Sequence, residues 1–106
     1  MTEKELMSLP VGTWVMVDLG GPLVVAQRIG GPVRKDALGY LILTDGAADD
    51  PGGILIRDPR MASLPTRGLI DRWKEGREGP INEAIRKQLE AQLAEAQSRE
   101  REREGR

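Results

Sequence analysis

Thr13-Trp14-Val15-Met16-Val17-Asp18-Leu19-Gly20-Gly21-Pro22-Leu23-Val24-Val25-Ala26-Gln27-Arg28-Ile29, residues 13–29, decide how this chain folds. Val15, Val17 and Leu19 alternate with Trp14, Met16 and Asp18, and a period of two puts the two sets on opposite faces of a strand. Both sets are largely apolar. The strand is therefore expected to be covered on both sides, or to present Trp14 at an interface. Gly20-Gly21-Pro22 forces a reversal, because glycine reaches positive φ and proline fixes its own φ and gives no donor to a ladder. Residues 23–29 return as a second strand, with Leu23, Val25 and Ile29 on one face and Val24, Ala26 and Arg28 on the other.

Downstream, Gly30-Gly31-Pro32 repeats the tripeptide ten residues on, an echo of strand-turn, strand-turn. Residues 33–37 read as a polar connector. Residues 38–44, with Tyr40, Leu41, Ile42 and Leu43 in succession, read as a third strand. Residues 45–53 form an acidic loop, and residues 54–57 a fourth strand. Short strands joined by Gly/Pro turns are the pattern of a small sandwich or barrel. The connections are too short for the helical crossovers of a parallel sheet. The expected fold is mainly β with a C-terminal α-helix: a small SH3-like antiparallel β-barrel or meander plus one long helix.

The run Val11-Gly12-Thr13-Trp14-Val15-Met16-Val17-Asp18-Leu19 resembles the first strand of the MazF-like toxin barrels. The likeness spans that one strand. Gly21-Pro22 stands where those barrels carry an Arg-Pro pair, so no activity and no site residue is carried over. SH3-like barrels in general, including those of phage head and tail proteins, share the same strand-turn texture, which is an analogy of style.

Outside this unit, residues 1–10 are expected to form an N-terminal arm or one short helical turn, with Thr2 and Glu5 spaced as a capping box and Pro10 as its stop. Residues 11–75 make up the small β-barrel domain. Its last part, from Asp58, is irregular, with Met61, Leu64, Leu69, Ile70 and Trp73 as apolar anchors and a fifth short strand or one helical turn near 69–73. Residues 76–80 form a hinge, and Gly79-Pro80 suits a helix start. Residues 81–106 are the C-terminal helix with a charged tail, helical to about Arg103. Ile81, Ile85, Leu89 and Leu93 recur every four residues, a stripe that drifts about 40° per step at ~100° per residue. No a/d heptad persists, which disfavours a long two-stranded coiled coil. Glu83–Lys87 and Glu95–Arg99 are spaced as i,i+4 ion pairs.

The chain has 106 residues, with 16 basic and 17 acidic side chains, net charge −1, three aromatic residues, no cysteine and no histidine. Cysteine's absence removes disulfides, thiolate nucleophiles and sulfur-rich zinc sites. Histidine's absence removes the commonest general base and transition-metal ligand. Ser8, Ser63 and Ser98 have no activating motif around them, so no catalytic residue is assigned and a non-enzyme is expected. Residues 1–9 lack the apolar core of a signal peptide, and no run approaches the ~18–20 apolar residues of a membrane span. A cytoplasmic protein without membrane contact is expected, or a virion protein if the chain belongs to a phage.

Asp45, Asp49 and Asp50 are oxygen donors that Ca²⁺ or Mg²⁺ would accept. Their spacing is not that of an EF-hand, and Asp, Gly, Ala and Pro are what a turn needs anyway; no metal and no cofactor is expected. The Gly-Gly-Pro turns do not lead into helices, as a phosphate loop requires. Arg57, Arg60, Arg67, Arg72, Lys74 and Arg77 surround Trp73 and make a candidate single-strand nucleic-acid surface. Asp58, Asp71, Glu75 and Glu78 interleave, leaving that stretch a charge of only +2, six minus four.

The chain is poor in large aromatic core residues, and its strands and helix carry spare apolar side chains. The leading expectation is therefore a non-catalytic interaction or structural module, acting by oligomerisation or by docking on a larger complex through Trp14, Trp73, Ile81, Ile85, Leu89 and Leu93. A bacteriophage virion structural or assembly component is its most concrete form. The alternative is a nucleic-acid or transcription-machinery binder using the Arg57–Arg77 stretch.

Overall fold

A computed structural model describes residues 1–44 and 53–104 of the chain. Helix α1 (Glu3–Met7) comes first. Thr2 and Glu5 form the expected capping box: the Glu5 N–H donates to Thr2 Oγ1 at 3.1 Å, and the Thr2 N–H donates to Glu5 Oε1 at 3.2 Å. Strands β1 (Trp14–Asp18) and β2 (Val24–Arg28) form an antiparallel hairpin with Trp14 opposite Arg28 and Asp18 opposite Val24. Its turn uses Gly20 and Gly21 at φ 100° and 56°, values that a residue with Cβ rarely adopts.

The second Gly-Gly-Pro does not repeat that hairpin. It carries the chain around a corner between two sheets, and Gly30 ties the corner by donating its N–H to the Thr44 carbonyl at 2.8 Å. Beyond it lie β3 (Arg34–Lys35), β4 (Leu41–Thr44) and β5 (Gly53–Ile56), paired antiparallel in the order β3-β4-β5. The polar connector thus contains a two-residue strand. The third strand starts three residues later than the apolar run suggests. Asp36 takes those residues into a turn, its Oδ1 accepting from the N–H of Leu38 at 2.9 Å and of Tyr40 at 2.8 Å.

A 3-10 turn (Pro59–Met61) leads into β6 (Ala62–Ser63), which returns to the first sheet beside β1, giving the order β2-β1-β6. The molecule is therefore two small three-stranded antiparallel sheets, and no closed barrel forms among the described residues. Helix α2 (Arg67–Lys74) is two turns long where a fifth short strand or one helical turn was expected, capped by the Thr66 hydroxyl accepting from the Leu69 N–H. Helix α3 (Pro80–Glu104) follows a linker in which Gly76 and Gly79 sit at φ 73° and 107°. No helix among the described residues is long and apolar enough to cross a membrane.

The sheet β2-β1-β6 lies in the middle of the molecule. One face, through Val15, Val17 and Ala62, packs against Leu41, Leu43 and Ile56 of the other sheet, with Leu6 of α1, Ile29 and Val33 closing the cluster. The opposite face, through Met16 and Val24, packs against Ile70, Trp73 and Leu89 of the two helices. Val15, Met16 and Val17 are consecutive and all buried, as a strand covered on both faces requires. Each such side chain contributes roughly 1.5–3 kcal/mol on leaving water.

Candidate protein-interaction site

Where α3 crosses the start of β1, a side chain takes the place of a strand. β6 ends at Ser63, opposite Met16. Continuing that register would set Pro65 opposite Trp14, and proline has no N–H to give. Gln92 of α3 fills the position. Its Oε1 accepts the Trp14 N–H at 2.7 Å, and its Nε2 donates to the Trp14 carbonyl at 2.9 Å. One turn earlier on the helix, Gln88 Oε1 accepts the Trp14 indole N–H at 3.0 Å. Spacing of four residues brings both amides to one side of the helix.

These contacts decide the fate of the six apolar candidates. Trp73 is 3 % exposed and Leu89 fully buried, both inside the chain's own second core. In this chain, they hold the helices to the sheet rather than lying open at the surface. Trp14, Ile85 and Leu93 pack against the same core at half-burial. Ile81 alone stands clear, 78 % exposed. The reason is the drift of the stripe: a sheet of three short strands covers only the middle of a 25-residue helix.

Further along α3, past Gln92, an open cleft of about 530 Å³ separates the helix from the loop before β1. Gln92, Glu95, Ala96 and Arg99 form one wall; Leu9, Pro10, Val11 and Leu64 form most of the other. Val11 is 62 % exposed, and Leu64 is also exposed. Helical geometry puts Ile81, Gln88, Gln92, Glu95 and Arg99 within an arc of about 60°, so Ile81 and the cleft share one flank of α3. Val11 and Leu64 have no periodicity to announce them. The flanking Pro10 and Pro65 were the available signal, since both keep these segments out of regular structure.

The basic candidates are largely engaged within the chain. Arg72 holds Asp18 through two hydrogen bonds, at 2.9 and 3.0 Å, and also donates to the Gly21 carbonyl. The Arg72 guanidinium, helped by the Gly20 N–H, holds the Asp18 carboxyl below the usual carboxylate range. Arg77 donates to the carbonyls of Trp73 at 2.5 Å and Val24 at 3.1 Å and stacks on the Trp73 ring. Arg60 pairs with Asp58 at 3.0 Å, Lys74 with Asp71 at 3.4 Å, and Arg67 approaches Glu90 at 3.9 Å. Arg57 lies over the Tyr40 ring, 5.6 Å from its centre. On α3, Glu95 and Arg99 pair at 2.6 Å as their spacing implies, whereas Glu83 pairs with Arg86 rather than Lys87.

Asp45, Asp49 and Asp50 lie outside the described residues. Among the described residues, no group of three acidic side chains is placed to hold a metal ion. No family model, no curated protein and no solved structure matches this chain.

Proposed function

We propose that this protein is a non-catalytic interaction module that associates with further copies of itself through the exposed flank of α3. The observation that supports this reading is the juxtaposition of a protruding Ile81 and a cleft, whose far wall is the apolar Leu9, Pro10, Val11 and Leu64, on the same side of one helix. An antiparallel apposition of two α3 helices with Ala84 across from Ala91 would bring each Ile81 across from Ala94, beside the cleft wall of Gln92 and Ala96 in the second copy. Such a contact is self-complementary, as a two-fold interface must be. The alanines are small enough to let the helix backbones approach. The nucleic-acid alternative is the weaker reading, because Arg60, Arg67, Arg72, Lys74 and Arg77 are held by neighbours in the chain.

The chain has no cysteine, so introduced thiols report cleanly. The double variant Ala84→Cys/Ala91→Cys is expected to form an intermolecular disulfide dimer under mild oxidation. Disulfide geometry demands Cα atoms within about 7 Å, and two positions seven residues apart on one helix cannot meet each other. A double variant that crosslinks no better than either single variant would refute the antiparallel contact.

A further inference from the structure

The two sheets leave a seam on the side of the molecule where the chain passes from β5 to β6. A pocket of about 240 Å³ opens there, lined by Val17 and Leu19 from the first sheet side, Leu55 and Ile56 from β5, and Arg57 and Met61 from the connection. Val17 and Ile56, 1 % and 2 % exposed, belong to the core between the sheets, so the pocket reaches down to that core. Leu19 and Leu55, each about half exposed, form its lips.

We propose that this seam binds an extended peptide segment in which an aliphatic side chain is flanked by a carboxylate. Size and lining set the first requirement. The volume is below the ~300–1,000 Å³ typical of cofactor and drug-sized sites, and every lining side chain except Arg57 is apolar, which suits one aliphatic side chain. Charge sets the second. The neighbouring carboxylate, Asp58, is taken up by Arg60 at 3.0–3.2 Å, and among the described residues no carboxylate pairs with Arg57. The Tyr40 ring beneath Arg57 supports the guanidinium at the pocket's rim.

The backbone sets the third requirement. β5 is the edge strand in the order β3-β4-β5, so every second N–H and C=O along it points away from β4. An extended segment adding to that edge places alternate side chains toward the seam. A single-stranded nucleic acid fits less well: it needs open aromatic faces for stacking, and the aromatic ring here lies beneath Arg57. This site is separate from the α3 flank, and its occupancy does not depend on self-association.

Selection of a random peptide library on the immobilised full chain tests the proposal. Enrichment of sequences carrying Asp or Glu beside Leu, Ile, Val or Met is expected. Their affinity should fall roughly tenfold or more in Arg57→Glu, the loss of a charge-assisted hydrogen bond, and be unchanged in Ile81→Glu. Amide shifts on titration with a selected peptide should centre on Leu19, Leu55, Ile56 and Arg57. No enrichment, enrichment of basic sequences, or equal affinity for Arg57→Glu would overturn it. Sodium octanoate shifting the same amides with no peptide enriched would also overturn it, assigning the pocket to a free aliphatic carboxylate.

Discussion

Gln92 of α3 hydrogen-bonds both main-chain groups of Trp14, accepting its N–H at 2.7 Å and donating to its carbonyl at 2.9 Å. A side-chain amide thereby does what a longer β6 would do, and the longest helix is keyed to the first strand at one defined register.

Gln92→Ala leaves a partly buried N–H and C=O without a protein partner. The expected cost is about 1–3 kcal/mol. A loss of 1 kcal/mol lowers Tm by roughly 4–8 °C in a domain near this size. Gln92→Glu keeps the acceptor, loses the donor and should fall between the two. Urea unfolding followed by tryptophan fluorescence measures all three.

Core and surface positions on α3 should separate sharply although all four belong to one sequence stripe. Leu89→Ala removes a fully buried side chain and should cost about 2–5 kcal/mol. Ile81→Ala, at a highly exposed position, should stay within about ±0.5 kcal/mol at concentrations where the chain is monomeric. Equal losses at the two sites would contradict the packing.

The division of that stripe into buried and exposed positions could not be read from sequence. Periodicity identifies the face of α3 but not how much sheet it meets, so Leu89 looks no different from Ile81 until the sheet is in place. By contrast, the strand at Val15–Val17, the Gly20-Gly21 turn and the Thr2–Glu5 cap are local patterns and were legible. β3 and β6 were not: Arg34-Lys35 and Ala62-Ser63 become strands only because β4 and β1 offer partners. Helix α2 was obscured by Pro65 and Gly68, which read as breakers but fall just before the helix and in its first turn, and burial of Ile70 and Trp73 holds the helix on the sheet. The Gln92 clamp spans 78 residues and leaves no local signature.

Acid sensitivity should report the Asp18–Arg72 pair. The folded pKa of Asp18 is depressed, chiefly by Arg72, so its contribution is present above the unfolded value, about 3.9, and is lost as pH falls through the lower folded value. Asp18→Asn should reduce the slope of stability against pH in that acidic window and leave the neutral-pH slope alone. Unfolding midpoints measured across the window decide it; an unchanged acid slope would contradict the pairing.

Removing residues 98–106 should leave the fold intact, because the described residues from Ser98 to Glu102 are exposed and take no part in either core. Ending the chain before Gly79 uncovers Met16, Val24, Ile70 and Trp73 and should abolish the cooperative transition. Circular dichroism melts of the two truncations distinguish these outcomes.

Sedimentation equilibrium of the intact chain from micromolar to millimolar concentration bears most directly on self-association through α3. Reversible, concentration-dependent dimerisation is expected, with Ile81→Glu remaining monomeric over the same range while keeping the wild-type unfolding midpoint. A wild-type chain that stays monomeric throughout, or an Ile81→Glu chain that associates as strongly, would contradict it.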